Sequence, residues 1–341
     1  MASEYLDDPT QVYDTQFGIC PENVFTMLSL CENLTNLHLT FPVSSDHVLS
    51  NSSDSVQARS PDSLEASYFC HYFTLIVPVL RRLRHLKIQA PYASVLVQSF
   101  AKTIMKLVHL ESLELVNVSA RNRHDIRRLP GCLSNLKALK HLILKEVHDM
   151  DANIWRCYKA PPQLVNLMIR DCRPLCVSQI LFLNTCAPRL THLELKFDEQ
   201  NDRPSVGSAD FDLKQNQLAL PALTGLTLWL HRVFYYIHCF AACKNLRYLA
   251  YYYNPLYDFS DNVFAQISEL SNFVTTNVLP SLEVITFHIE RNNYPLSSVL
   301  NSKLTLLEQT CKSKGIKFKS FPDDLNAKLR EYVMSYEDNH G

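Results

Sequence analysis

The sequence predicts an α/β fold in which short strands and helices alternate and stack into an open solenoid. Three observations lead to this prediction. A six-residue pattern, Leu-x-x-Leu-x-Leu, recurs along the chain, apolar and polar residues alternate in copies such as those from Leu83 and Leu190, and the segments between copies have helical periodicity. A strand–helix unit of this size cannot bury its apolar face alone, so neighbouring units must stack on one another.

The pattern occurs nine times, with isoleucine or an aromatic residue sometimes replacing a later leucine. The copies begin at Leu34, Leu83, Leu110, Leu139, Leu164, Leu190, Leu223, Leu246 and Leu282, at spacings of 49, 27, 29, 25, 26, 33, 23 and 36 residues. Leucine-rich repeats have periods of roughly 20–29 residues, so five spacings fit directly and three require insertions. A tenth strand is expected at residues 316–321, which gives nine or ten irregular repeats.

The alternation within each copy distinguishes two architectures. In the copy LTHLEL from Leu190, the leucines share one face of the strand and His192, Glu194 and Lys196 share the other. A closed eight-stranded barrel would bury both faces of its strands, which would then be continuous apolar runs. A period of two predicts one sheet face in water, which favours an open horseshoe.

Between the copies, apolar residues recur every three or four positions, as in a helix with one buried face. The predicted helices cover residues 67–83, 94–110, 178–186, 232–243, 263–274 and 296–311. Residues 44–63 are rich in serine and aspartate and predict a disordered insertion, and residues 198–212 predict a second polar loop. We expect an N-terminal cap over 1–27, one repeat domain over 28–321, and a C-terminal capping helix and tail over 322–341.

Composition excludes several classes of function. The chain has 341 residues, a net charge of -1 and only 6 glycines, which are too far apart for a nucleotide-binding glycine loop. Near-neutral charge makes nucleic-acid binding an unfavoured hypothesis, and the basic residues at 121–128 and the lysines at 312, 314, 317 and 319 are interpreted as solvated surface. The chain has no signal sequence and no apolar run long enough to span a membrane, so we expect cytoplasmic and/or nuclear localisation and no membrane partner.

The sequence also predicts that the protein is not an enzyme and binds no metal or cofactor. It contains no GxSxG or HExxH motif. Cys172 and Cys176 are four residues apart, as are Cys239 and Cys243, but this spacing is weak evidence for zinc. The eleven cysteines are expected to be reduced thiols, several of them buried.

Outward positions of the predicted strands supply a candidate binding surface on the concave face. The third, fifth and seventh residues of each copy should project there, and their composition changes from basic and polar to aromatic along the chain. The candidate partner-binding residues are His192, Lys196, Trp229, Tyr248, Tyr252 and His288. Aromatic residues beside cationic ones are typical of protein-interaction hot spots. The alternatives are that these rings pack on one another, or that the register is wrong by one residue and the faces are exchanged.

Two cysteine-containing starts and two later repeat positions carry a family resemblance. The segments CENL, ending at Leu34, and CKNL, ending at Leu246, match the CxxL start of cysteine-type repeats, and Cys172 and Asn254 occupy the ninth repeat position. With the ending LLEQTCKSKGIKF, these features resemble the leucine-rich repeat region of fungal-type F-box proteins over about residues 31–321. Most other ninth positions depart from this pattern, and nothing before Leu34 matches an F-box.

In F-box proteins of this type, the repeats capture a substrate and the F-box docks the adaptor of a cullin ubiquitin ligase (an SCF-type ligase). The resemblance therefore implies a non-catalytic protein–protein interaction module, with F-box-like substrate recognition through the concave face. It implies an SCF-type adaptor as a partner only if an F-box is supplied. The alternatives are a regulator of an enzyme, such as a GTPase activator, and a stand-alone scaffold unrelated to ubiquitin ligases.

Overall fold

A computed structural model describes residues 80–89, 102–118, 177–197, 217–229, 234–253, 260–289 and 298–322, together with most of 23–40 and most of 128–175. The insertion predicted at 44–63, the loop predicted at 198–212 and the predicted C-terminal capping helix lie outside these residues. So do almost all of the N-terminal cap and residues 121–127 of the basic segment. The predictions for these segments stay predictions.

The described residues form an α/β structure built on one ten-stranded parallel sheet. The strands are β1 (Asn36–Thr40), β2 (His85–Gln89), β3 (Ser112–Val116), β4 (His141–Lys145), β5 (Asn166–Arg170), β6 (His192–Lys196), β7 (Gly225–Trp229), β8 (Tyr248–Tyr253), β9 (Val284–Ile289) and β10 (Lys317–Pro322). Their order in the sheet follows their order in the chain, and among the described strands β1 and β10 each pair on one side only. The ten predicted strands are therefore confirmed, and they form an open sheet.

Each copy of the sequence pattern makes the same backbone hydrogen bonds. The amide of the first leucine donates to the carbonyl three residues earlier, as from Leu190 to Ala187 at 3.2 Å, and all nine copies share this turn. From the second copy onwards, the next residue donates to the preceding repeat, as from Thr191 to Val165 at 2.9 Å. The repetition seen in the sequence is thus a repetition of backbone geometry, and it sets the parallel register.

The core lies between the sheet and the layer of helical segments. Leu190, Leu193 and Leu195 are each at most 2% exposed, whereas the alternate residues of β6 are half-buried. The same alternation holds from β2 to β6. This burial pattern confirms the predicted inward and outward sets. The register is fixed because burying one leucine side chain contributes about 1.5–3 kcal/mol, and a shift of one residue would expose the whole inward set.

The helical segments agree with the predicted helices in some repeats and differ in others. Within the described residues, the α-helices with defined bounds are α1 (Arg128–Leu133), α2 (Ala152–Arg156), α3 (Leu183–Cys186), α4 (Ser260–Thr275) and α5 (Ser298–Ser313), residues 102–104 are also helical, and 3-10 helices cover Val177–Phe182 and Phe234–Phe240. The helices predicted at 263–274 and 296–311 are confirmed by α4 and α5. The predicted α-helices at 178–186 and 232–243 are therefore wrong in type, in part or throughout. The second lies in the shortest repeat, where Gly225 and Tyr248 begin strands 23 residues apart. A 3-10 helix rises about 2.0 Å per residue against about 1.5 Å in an α-helix, so fewer residues span the layer.

A residue in the left-handed backbone conformation directly follows each of three consecutive strands. Asn117, Glu146 and Asp171 follow β3, β4 and β5 directly, with φ of 56°, 51° and 51°. Each donates its amide to the last residue of the next strand, as Asp171 does to the Lys196 carbonyl at 2.7 Å. Asparagine and aspartate tolerate this conformation better than most residues. The turn places the side chain of Asp171 beside the end of β6.

Candidate functional site

The outward residues of the strands form a surface that we call the open face. Strand pairing aligns these residues into three rows that run across the sheet, one each for the first, third and fifth positions of the strands. From β5 to β9, the first row is Asn166, His192, Gly225, Tyr248 and Val284, the third row is Met168, Glu194, Thr227, Ala250 and Thr286, and the fifth row is Arg170, Lys196, Trp229, Tyr252 and His288. All six predicted partner-binding residues therefore lie in two rows on the consecutive strands β6–β9: His192 and Tyr248 in the first row, and Lys196, Trp229, Tyr252 and His288 in the fifth.

Three rings of the fifth row stack face to face, and we call them the aromatic ladder: Trp229, Tyr252 and His288. The Trp229 and Tyr252 centroids are 3.8 Å apart with planes at 1°, and the Tyr252 and His288 centroids are 4.3 Å apart at 8°. Equivalent positions on neighbouring strands lie about 4.8 Å apart, which brings rings at those positions within stacking distance. Aromatic pairs contribute about 0.5–1.5 kcal/mol beyond their buried area, so the ladder is a rigid element.

Two cationic side chains cover the other end of the ladder. The Arg170 guanidinium carbon lies 4.8 Å from the Trp229 ring centroid, and Lys196 Nζ lies 5.8 Å from it. Arg170 Nε donates to Glu194 Oε1 at 2.6 Å, and Lys196 Nζ lies 2.9 Å from Asp171 Oδ2. Cation–π contacts contribute about 0.5–2 kcal/mol. These contacts hold both cations at the edge of the open face.

His192 and Tyr248 lie on either side of Gly225 in the first row. A Cβ placed on Gly225 would lie 2.5 Å from His192 Cδ2, so the imidazole occupies the space that a side chain there would take. His192 Nδ1 lies 3.0 Å from the Thr191 hydroxyl oxygen. Beyond Gly225, the Arg247 guanidinium lies 5.6 Å from the Tyr248 ring centroid. The glycine is therefore what allows the predicted His192 to lie flat on the sheet.

Small side chains line the third row between Tyr248 and the aromatic ladder. Thr227, Ala250 and Thr286 are neighbours on β7, β8 and β9, and all three are half-buried. Ring-bearing residues flank them, with Tyr248 in the first row and the ladder in the fifth. The open face thus has a low floor along one row, with the aromatic ladder along one side of it and the single ring of Tyr248 on the other.

Towards β2, the open face carries a separate charged cluster. Glu114 Oε1 lies 2.7 Å from Lys145 Nζ and 3.5 Å from Lys87 Nζ. Burial opposes ionisation of Glu114, but hydrogen bonds and attraction from the two lysines outweigh it and lower the pKa of this carboxyl. One carboxylate therefore serves two ammonium groups, which leaves an excess of positive charge.

Burial sets the protonation state of His288. Its side chain is 3% exposed, and burial lowers its pKa to about 4, so the imidazole is neutral at pH 7.

In the same ladder, the Trp229 indole Nε1 is shielded from water and has no hydrogen-bond acceptor among the residues that the structure describes. An unsatisfied buried donor costs about 1–3 kcal/mol, and such groups are rare in folded proteins.

The open face differs from the predicted surface in how its rings are used. All six predicted residues lie on it, but both ring faces of Trp229 and both of Tyr252 are covered by their neighbours. What they offer to solvent is ring edges. Lys317 and Lys319 were expected on a solvated surface, and β10 places both on the open face beside the predicted residues. Aligning the repeat copies would have found them, because both continue rows of outward residues.

Other predicted features belong to the core. Cys239 and Cys243 are buried, and burial raises the pKa of Cys239 to about 12.

Within the described part of the chain, no three histidine, cysteine, aspartate or glutamate side chains are placed to hold a metal ion. No helix found there is both long enough and apolar enough to cross a lipid bilayer. Tyr251, which precedes Tyr252, faces inwards and is 4% exposed.

No protein-family model and no curated protein matches this chain. The geometry of the open face is therefore the basis on which a function can be proposed.

Proposed function

We propose that the chain is a leucine-rich repeat horseshoe that binds another protein on its open, concave face and performs no chemistry of its own. The observation that carries this proposal is the aromatic ladder of Trp229, Tyr252 and His288, stacked on the outward side of the sheet with Arg170 against its end. Tryptophan, tyrosine and arginine are the residues most enriched in interaction hot spots.

The rigidity of the ladder supports a binding role. Association costs about 0.5–1.5 kcal/mol for each flexible side chain that becomes fixed. Trp229 and Tyr252 are already fixed by stacking, and Arg170 is held by Glu194. A partner that contacts these side chains would lose little further entropy.

The narrower proposal is substrate recognition in an F-box-like setting. Two cysteines of the resemblance occupy repeat positions inside the core. Cys172 Sγ donates to the Leu144 and Arg170 carbonyls at 3.4 Å, and Cys243 Sγ donates to the Leu218 carbonyl at 3.2 Å. These contacts tie successive repeats together, which is a role suited to a repeated cysteine, and they support the resemblance without adding a ligase-docking element.

The proposal can be tested by affinity capture of the tagged full chain, with mass spectrometry of the proteins that co-purify. Ala250→Gln places a longer neutral side chain on the floor of the open face, and Ser302→Gln makes a comparable change on the exposed side of α5. We expect at least one partner that wild type and Ser302→Gln retain and Ala250→Gln loses, with circular dichroism unchanged. Retention of every captured partner by Ala250→Gln would contradict binding on the open face. Recovery of a cullin and its adaptor would support the ligase setting, and their absence would remove it.

A further inference from the structure

We infer that the partner segment bound on the open face is an acidic, extended peptide. This inference rests on the proposed function and names the chemistry of its partner. The first argument is charge. Among the described residues, six cationic side chains lie on the open face against four acidic ones in or beside it: Lys87, Lys145, Arg170, Lys196, Lys317 and Lys319, and Glu114, Glu146, Asp171 and Glu194. The whole chain has a net charge of -1, so positive charge is concentrated on this face.

The second argument is the orientation of the rings. Aromatic rings carry negative potential on their faces and positive potential at their edges. In the aromatic ladder the faces are turned towards one another and towards Arg170, so the ring edges form the surface. Carboxylates and backbone carbonyls are the peptide groups that complement edges of this kind.

The same geometry disfavours two other linear ligands. Single-stranded nucleic acids bind by stacking bases on open aromatic faces, and proline-rich segments pack on aromatic-lined grooves. Neither face of Trp229 or Tyr252 is available for such contacts. A polyanion could still be drawn by the lysines, so RNA is retained as an outcome of the test.

The floor of the open face fits an extended backbone. Thr227, Ala250 and Thr286 continue one row across three strands, between Tyr248 and the ladder. The distance from β5 to β9 is four strand spacings of about 4.8 Å, or about 19 Å, which an extended segment of about six residues spans at about 3.3 Å per residue. Carboxylates of such a segment would lie within reach of Arg170 and Lys196.

The decisive measurement compares two peptides on the full chain by fluorescence anisotropy. One is a short labelled peptide rich in glutamate with a single leucine, and the other has glutamine at every glutamate position. We expect the glutamate peptide to bind at least tenfold more tightly at low ionic strength and to lose that advantage as salt rises. Equal affinities for the two peptides would overturn the inference. A uridine oligonucleotide that binds more tightly than the glutamate peptide, at a site sensitive to Ala250, would also overturn it.

Three substitutions at one position locate the binding and test its sign. Ala250→Gln, Ala250→Glu and Ala250→Lys have similar size and differ in charge, so the glutamine variant is the steric baseline. Relative to it, we expect Ala250→Glu to weaken the glutamate peptide about tenfold and Ala250→Lys to strengthen it. The double variant Lys312→Gln/Lys314→Gln removes two exposed charges from the end of α5 and the turn after it, and should change nothing.

Different results would refute binding on the open face and the acidic character of the partner. A captured protein partner that is lost in Ala250→Gln, while the glutamate peptide neither binds nor competes with it, would leave the proposed function standing and refute the acidic partner. Partners that are unaffected by every Ala250 variant would refute the open face as the binding surface, and the acidic partner with it.

Discussion

Gly225 and His192 provide a quantitative test of how the open face is packed. Gly225→Ala would place a Cβ 2.5 Å from His192 Cδ2 and 3.1 Å from its Nε2. Carbon atoms in contact are normally about 3.5–4.0 Å apart, so the overlap is about 1 Å. The imidazole must leave its position over the glycine, where its Nδ1 lies 3.0 Å from the Thr191 hydroxyl.

The two backgrounds should give effects of opposite sign. In wild type, overpacking of this kind costs about 1–3 kcal/mol of unfolding free energy. In His192→Ala the obstacle is gone, and alanine within a strand is favoured over glycine by about 0.5–1 kcal/mol because glycine loses more entropy on folding. We therefore expect Gly225→Ala to destabilise wild type, to stabilise the His192→Ala protein, and to show a coupling energy of about 1.5–4 kcal/mol.

Urea denaturation of the four proteins measures this cycle. The midpoints should shift without a change in slope, because the surface exposed on unfolding is nearly the same in all four. Far-ultraviolet circular dichroism and intrinsic fluorescence must give the same midpoint for the free energies to be comparable. A Gly225→Ala effect of the same sign and size in both backgrounds would refute the packing of His192 over Gly225.

Three further predictions follow from other features. Burial lowers the pKa of His288 to about 4 against an ordinary value of 6.5, so the unfolded chain takes up its proton first as pH falls. The corresponding stability should be fully present above about pH 6.5 and be lost towards pH 4, with an upper limit of about 3 kcal/mol. A His288→Gln protein with the same pH dependence of its urea midpoint as wild type would contradict this. Tyr252→Ala removes the middle ring of the ladder and should lower the free energy of unfolding by about 2–4 kcal/mol. Tyr252→Phe keeps both stacked contacts and should lower it by under about 1 kcal/mol. Equal losses of stability in thermal melts would show that ring stacking does not stabilise the ladder. Exposed Cys31 and Cys157 should react with iodoacetamide in the native protein. Burial raises the pKa of Cys172 to about 12, so this thiol should react only after unfolding, as peptide mass spectrometry would show. Early labelling of Cys172 would contradict its placement in the core.

The strands and their register could be predicted because two signals agree in the clearest copies and the leucine spacing extends them to the others. The leucine spacing marks where a strand begins, and the alternation of residues such as Leu193 and Glu194 fixes which side faces the core. The helical segments were less predictable. Apolar spacing does not distinguish an α-helix from a 3-10 helix, and the choice at Phe234–Phe240 depends on how many residues the repeat has to cross the layer.

The aromatic ladder could be anticipated in part. Trp229, Tyr252 and His288 occupy the same position in three consecutive copies, so a repeat alignment makes them lateral neighbours. The same alignment brings His192 beside Gly225. It does not give the orientation of the rings, because that depends on side-chain rotamers chosen jointly by all the neighbours. The difference matters for function, since residues expected to offer ring faces to a partner offer edges.

The two tryptophans of the chain lie in different layers, so intrinsic tryptophan fluorescence can report on each layer separately. Trp155 belongs to α2 in the helical layer, where its ring centroid lies 5.7 Å from that of Phe182. Trp229 is in contact with Tyr252 and the Arg170 guanidinium at the open face. A Trp155→Phe protein would emit from Trp229 alone, and its spectrum would report directly on what occupies the sheet. A Trp229→Phe protein would report on the opposite layer, so the two emission signals separate events at the binding surface from loosening of the scaffold behind it.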